Sequence, residues 1–217
     1  MIDRSSAEED LRVIRTLMER AASYRAISAP TALVGGLLSL LSAAFIVKSD
    51  LLLGRAVRAR EFAMTWVVVL ALTMIANVFF VSREARNSGR PFVSSGMKLA
   101  LRAIAPTLIV PALFTVWFLK IGYLGGLDLE LVTVWTVFYG LALLSTALFA
   151  PRSLALLGWA FLLTGVSVPV AANVLEGLSS DISNFFMGIT FGSYHLIYAL
   201  CTWSQRERAT SGQPVNE

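Results

Sequence analysis

Residues 62–81, which read FAMTWVVVLALTMIANVFFV, decide the fold class of this 217-residue chain. These 20 residues include no charged side chain. As an α-helix they would reach roughly 30 Å, which matches the hydrocarbon core of a bilayer. Because lipid requires each backbone polar group to bond within its own helix, this stretch predicts a membrane-spanning α-helix.

Five other stretches have the same length and character. The six predicted spans are 28–47, 62–81, 99–119, 131–149, 153–174 and 185–203. Together they include one arginine, one histidine and no carboxylate. The whole chain is 15% charged, whereas soluble domains are about 25% charged. We therefore predict an all-α, polytopic integral membrane protein, with a six-transmembrane-helix bundle over residues 28–203.

The segment before the first span, residues 1–27, carries five basic and five acidic residues, unlike the short basic start of a signal peptide. Leu11, Ile14, Leu17 and Met18 recur at helical spacing. This pattern predicts a cytoplasmic amphipathic helix, which either lies on the membrane surface and packs locally or docks onto a partner. Residues 204–217 are predicted to form a short, disordered cytoplasmic tail.

Basic residues predict the orientation. With the N-terminus in the cytoplasm, twelve lysines and arginines outside the spans lie on the inner side and five on the outer side. This distribution favours cytoplasmic N- and C-termini. The loop 48–61 opposes the rule, because Arg55, Arg58 and Arg60 would lie outside.

A few polar residues fall within the predicted spans, where each needs a partner or a path to water. Arg102 lies near the start of its span, so its side chain either reaches back to the headgroups or contacts an anion or a lipid headgroup. His195 lies in mid-span and is a packed side chain with satisfied hydrogen bonds, part of a polar cavity, or a ligand of a cofactor shared with another subunit. The candidate cavity or ligand-lining residues are Asn77, Arg102, Asn173 and His195.

Prolines and small residues mark candidate kinks and helix contacts. Prolines within a span remove a backbone donor, and small residues four apart let two helices approach closely. Such contacts lie either within the monomer or between chains. The residues concerned are Gly35, Ser39, Pro106, Pro111, Pro169, Gly188 and Gly192.

Motifs for catalysis or cofactor binding were not found. The chain has one cysteine and one histidine, too few for a thiolate or histidine metal site, and it lacks a phosphate-binding glycine loop and a serine elbow. We predict no cofactor and no metal. The net charge of +4 indicates attraction to anionic membrane lipids, not to nucleic acid.

Residues 11–36, LRVIRTLMERAASYRAISAPTALVGG, resemble the start of small multispan bacterial membrane proteins that have no assigned activity. The resemblance covers 26 of 217 residues. It implies a bacterial inner-membrane location and a six-helix plan, and it implies no functional residues.

Three functions remain open. The preferred hypothesis is a non-catalytic subunit, anchor or accessory of a membrane complex, associating with other membrane subunits or with itself. The second is a small transporter or channel with a polar cavity between the second, third, fifth and sixth helices. The third is a membrane enzyme acting on lipid or quinone, in which His195 or carboxylates near the outer face, such as Glu130 and Asp181, do the chemistry.

Overall fold

The structure is a computed structural model that describes residues 28–53, 59–87, 95–121, 128–147, 150–175 and 182–211. Every regular element in these ranges is helical, so the prediction of an all-α protein is confirmed for the described part of the chain. The predicted amphipathic helix in 1–27 lies outside the described residues, as do positions 54–58 of the basic loop and 212–217 of the tail. Residues 204–211 of the tail are helical, which differs from the predicted disorder, because the last helix continues past its apolar part.

The helices follow the predicted spans and mostly extend beyond them. The last three elements form one continuous rod with a π-helical centre. In chain order they are α1 (Ala29–Leu53), α2 (Ala59–Asn87), α3 (Ser95–Ile121), α4 (Asp128–Ser145), α5 (Arg152–Leu175), α6 (Ile182–Met187), a π-helical segment (Gly188–Tyr194) and α7 (His195–Ser211). Five of the helices, namely α1, α2, α3, α5 and the α6–α7 rod, are long and apolar enough to cross a membrane.

The fourth predicted span differs from the observed helix at its C-terminal end. α4 ends at Ser145, four residues before the predicted end of 131–149, and its apolar part covers only Leu129–Ser145. At its end, the backbone N–H and the hydroxyl of Thr146 both bond the Leu143 oxygen, at 3.1 and 2.7 Å. The backbone bond spans three residues, as is usual in the last turn of a helix, and α4 thus ends within apolar sequence.

Two helices, α1 and α4, each pack against two neighbouring elements. α1 lies between α2 on one side and the α6–α7 rod on the other, while α4 packs against both α3 and α5. The most extensive helix pair is α4 with α5. One buried cluster joins α1, α2 and α4 to the rod through Ile46, Trp66, Val132 and Met187.

Glycine permits the close approach of α4 and α5. A Cβ atom added at Gly140 would lie 2.7 Å from the Leu162 nitrogen and 2.8 Å from the Gly158 oxygen. Those are backbone atoms, which cannot rotate away as a side chain would. Gly165 meets the Val137 nitrogen in the same way, at 2.9 Å. The two backbones are therefore in direct contact, as small-residue interfaces in membranes allow.

Candidate functional site: a buried tyrosine and histidine at a π-helical segment

The polar centre of the bundle is a hydrogen bond between Tyr139 of α4 and His195 at the start of α7. The tyrosine hydroxyl lies 2.7 Å from Nε2 of the imidazole. His195 is buried, with 6% of its surface exposed. The bond therefore joins α4 to the last rod inside the bundle.

The second bond of His195 determines where its proton lies. Nδ1 is 3.1 Å from the backbone oxygen of Phe191. A carbonyl oxygen only accepts, so Nδ1 donates. In a neutral imidazole the other nitrogen then carries a lone pair, and the Tyr139 hydroxyl donates to Nε2. One neutral tautomer thus satisfies both ring nitrogens.

The imidazole bond lies at the end of the π-helical segment, where the backbone bonding pattern changes. In an α-helix the backbone N–H of His195 would bond the oxygen of Phe191, four residues earlier. Here that N–H donates to the Gly192 oxygen, and the Phe191 oxygen accepts from the imidazole. Short π-helical turns inside α-helices are rare and often occur at functional sites.

Aromatic rings enclose the pair. Phe161 of α5 is fully buried, and its ring centroid lies 4.7 Å from that of Tyr139 and 5.4 Å from that of His195. Phe191 stacks on the imidazole with an interplanar angle of 16°. Tyr194 meets Phe161 edge to face and places its hydroxyl 2.8 Å from that of Thr164 on α5. The cluster thus links three helices through ring contacts and two hydrogen bonds.

This cluster is suited to holding helices together more than to binding a ligand. Both imidazole nitrogens have protein partners, and aromatic rings fill the space around them. One groove lies elsewhere among the described residues, with a volume of about 330 Å³, between α1 and α2, and it is lined mainly by apolar side chains such as Leu38 and Val68. The described residues contain no group of three or more histidines, cysteines or carboxylates that could hold a metal ion.

Asn77 lies in a separate hydrogen-bond network at the start of α1. Its Oδ1 accepts from the Thr31 hydroxyl at 3.1 Å. Since that hydroxyl proton is used, the Ser28 hydroxyl donates to Thr31 Oγ1 at 2.7 Å, and Ser28 Oγ accepts the Thr31 backbone N–H at 3.2 Å. Ser28 is therefore the N-cap of α1, and Asn77 ties α2 to that cap.

The other two candidate cavity residues are in different places. The Arg102 side chain is exposed near the start of α3. Asn173 lies within α5, but its side chain is outside the described part of the structure. Among the described contacts, no hydrogen bond or ring contact joins Asn77, Arg102 and His195 to one another. Of the carboxylates predicted to lie near the outer face, Glu130 is exposed and Asp181 lies outside the described residues.

The predicted small-residue positions contact helices of the same chain. A Cβ at Gly192 would lie 2.7 Å from Leu40 and one at Gly188 would lie 3.2 Å from Ala43, both on α1. Gly35 faces Thr73 of α2 at 2.8 Å, and Ser39 is buried. The prolines lie within helices that continue past them. Pro106 and Pro169 are exposed, whereas Pro111 is buried.

The sequence reasoning missed most of the aromatic cluster and the α4–α5 contact. Phe191, Tyr194, His195 and Tyr198 recur three, four and seven residues apart, which places them on one helical face. Gly158 and Gly165 are seven apart and likewise share a face. These spacings were available as signals, but spacing alone does not show which helix a face meets.

No protein-family model, curated protein or solved structure matches this chain.

Proposed function

We propose that this protein is a six-span bacterial inner-membrane protein with cytoplasmic termini, and that it works without catalysis as a subunit, anchor or accessory of a membrane complex. Five helices are long enough to cross a membrane, and the proposal adds the shorter α4 to make six. The apolar segment of α4, with 17 residues, Leu129–Ser145, would reach about 26 Å, close to the hydrocarbon thickness. An even number of spans puts both ends on one side, in agreement with the bias in basic residues.

The single observation that carries the association proposal is the small buried fraction of α2. Only 11% of its candidate span is buried inside the chain, compared with 50% for the α6–α7 rod. Its large exposed side chains include Leu70, Met74, Ile75 and Phe79, which lie at several angles around the helix axis. α2 thus offers far more apolar surface for helix contacts than the chain itself uses.

The arrangement of the Tyr139–His195 site supports a non-catalytic role. Both imidazole nitrogens of His195 bond groups of the same chain, and the aromatic rings of the site pack against each other. A catalytic histidine needs to reach the proton that it moves, directly or through one water. The site favours a structural role, and the function then depends on what the helix surfaces bind.

Site-specific photo-crosslinking in native membranes tests the proposal. A photoreactive amino acid at Ile75 of α2 should form a discrete crosslink to one membrane protein, and the same protein should co-purify in mild detergent at fixed stoichiometry. A band at twice the mass of the chain would identify a second copy as the partner. The matched control is Val170 of α5, which has the same exposed fraction of 67% and should crosslink to lipid alone.

The proposal is wrong if Ile75 and Val170 both crosslink to lipid alone and the protein purifies from mild detergent as a monomer without a partner. Crosslinks of equal yield from both positions would also overturn the assignment of the contact to α2.

A further inference from the structure

Two exposed cations lie one turn apart near the beginning of α3. Lys98 and Arg102 are four residues apart, so their side chains project from the same face of the helix. Both are exposed. Within the described residues, neither cation has an ion-pair partner. Among the described residues, the pair therefore presents two positive charges at one end of an apolar helix.

The same face continues as an exposed apolar strip. One turn after Arg102 comes Pro106, which is exposed, followed by Ile109 and Leu113, which are 55% and 64% exposed. Arg102 and Leu113 are eleven residues apart along the helix, or about 16 Å. That length is about half the hydrocarbon thickness, the depth of one leaflet.

We propose that this strip, Lys98, Arg102, Pro106, Ile109 and Leu113, is a binding site for one anionic phospholipid. The phosphate group pairs with Lys98 and Arg102, and the acyl chains lie along Ile109 and Leu113. Charge complementarity selects an anionic headgroup, since basic residues near a membrane surface attract anionic lipid by about 1 kcal/mol each. The apolar strip selects a lipid over a free anion.

The surface of α3 at this position is open to a lipid. Only 17% of the α3 candidate span is buried inside the chain, and the choice of a lipid rests on the two cations and the apolar strip. Pro106 has no backbone N–H, so the Arg102 carbonyl lacks its usual helical donor. This carbonyl adds a polar group to the helix surface near the two cations. The arginine side chain can extend along the helix toward the headgroups, as long basic side chains do at helix ends.

A natural control lies on α5. Arg152 is an exposed cation in the first turn of that helix, and Leu156 and Leu163 on its face are also exposed, at 70% and 64%. Leu156 follows Arg152 by four residues, whereas on α3 the residue four after Lys98 is a second cation, Arg102. The α5 strip therefore has a similar apolar surface with half the charge, and it should discriminate poorly between lipid headgroups.

The test is a lipid titration of the purified full-length protein, read by native mass spectrometry. Phosphatidylglycerol and phosphatidylcholine with identical acyl chains are added together and compete for binding to the protein. We expect one phosphatidylglycerol per chain to be retained in preference. Lys98→Gln or Arg102→Gln should each reduce this preference about fivefold, and the double variant about thirtyfold. Arg102→Lys should retain most of the preference, and Arg152→Gln should retain all of it.

Three results would overturn the site. The first is equal retention of the two lipids by the unmodified protein. The second is a loss of preference in Arg152→Gln as large as that in the double variant. The third is release of the bound lipid by inorganic phosphate, which would indicate a site for a free anion. Because Lys98 and Arg102 are exposed, the variants should keep the elution volume and helical circular dichroism of the unmodified protein, which are measured in parallel.

Discussion

Tyr139 and His195 are joined by a 2.7 Å hydrogen bond across two helices, and the imidazole also bonds the backbone of its own helix at Phe191. The tyrosine hydroxyl thus bonds the residue that directly follows the π-helical segment. Loss of the hydroxyl would leave Nε2 without a donor inside a ring cluster, where water is poorly accessible.

Tyr139→Phe should destabilise the protein by about 1–3 kcal/mol, because it leaves a buried acceptor unpaired. His195→Phe removes the imidazole and leaves the Tyr139 hydroxyl unpaired. Only the double variant removes both partners of the bond, so it should cost less than the sum of the two single variants. A double-mutant cycle of unfolding free energies in mixed micelles measures this coupling, expected at about 0.5–1.5 kcal/mol. Strict additivity of the two variants would contradict the hydrogen bond.

Gly140→Ala should be much more damaging than Gly188→Ala. The Cβ at Gly140 meets backbone atoms at 2.7 and 2.8 Å, whereas the Cβ at Gly188 meets only the Ala43 methyl at 3.2 Å. Overpacking against backbone costs about 1–3 kcal/mol, because the helices must separate. Thermal stability in detergent, followed by fluorescence-detected size-exclusion chromatography, should fall strongly for Gly140→Ala and little for Gly188→Ala. Equal loss in both variants would show that α4 and α5 are not in backbone contact.

Thr115→Val should destabilise the contact between α3 and α4. The Thr115 hydroxyl accepts the indole N–H of Trp135 at 2.8 Å while it donates to the Pro111 oxygen at 2.7 Å. The valine variant leaves the indole unpaired, at a cost of about 1 kcal/mol or more, whereas Thr115→Ser keeps the hydroxyl. The control is Thr107→Val, since that hydroxyl bonds only its own helix, at the Ile104 oxygen. The thermal midpoint of Thr115→Val should be lower than those of Thr107→Val and Thr115→Ser.

Asn184→Leu should be tolerated better than Asn184→Asp. The Asn184 side chain is buried, and its Nδ2 donates to the Ala43 oxygen at 2.8 Å. Its Oδ1 has no hydrogen-bond partner within the described structure. Leucine loses one hydrogen bond but also removes the unpaired oxygen, so the net change should stay within about 1 kcal/mol. Aspartate puts a second acceptor against the carbonyl and should cost several kcal/mol. The expression level of the folded monomer and its thermal midpoint measure the difference, and similar values for the two variants would refute this explanation.

The boundaries of the helices show where prediction from the sequence reached its limit. Hydropathy marks the part of a helix that fits the hydrocarbon, so it placed a span at 28–47 although α1 continues to Leu53. A helix continues into polar sequence as long as its backbone bonds are made. In α4 the opposite occurred, since the helix ends at Ser145 inside apolar sequence and Thr146 bonds the Leu143 oxygen in a tighter turn.

The candidate polar residues were found from the sequence because ionisable and amide groups are costly in lipid and therefore stand out. Their partners were not found in this way. Nothing in the order of residues joins Asn77 to Thr31, 46 positions earlier, or His195 to Tyr139, 56 positions earlier. Such pairs depend on which helices are neighbours, and long apolar helices of similar length offer few differences that would fix the neighbours.

The helical class, the apolar spans and the cations at their ends can be read from the order of residues, because each follows from local composition and from the cost of exposing the backbone to lipid. Three features emerge only when the helices are assembled: α4 and α5 contact through their backbones, the α6–α7 rod contains a π-helical segment, and His195 bonds Tyr139. These features depend on van der Waals packing and single hydrogen bonds, which select helix neighbours in a bilayer and act only between surfaces that have already met.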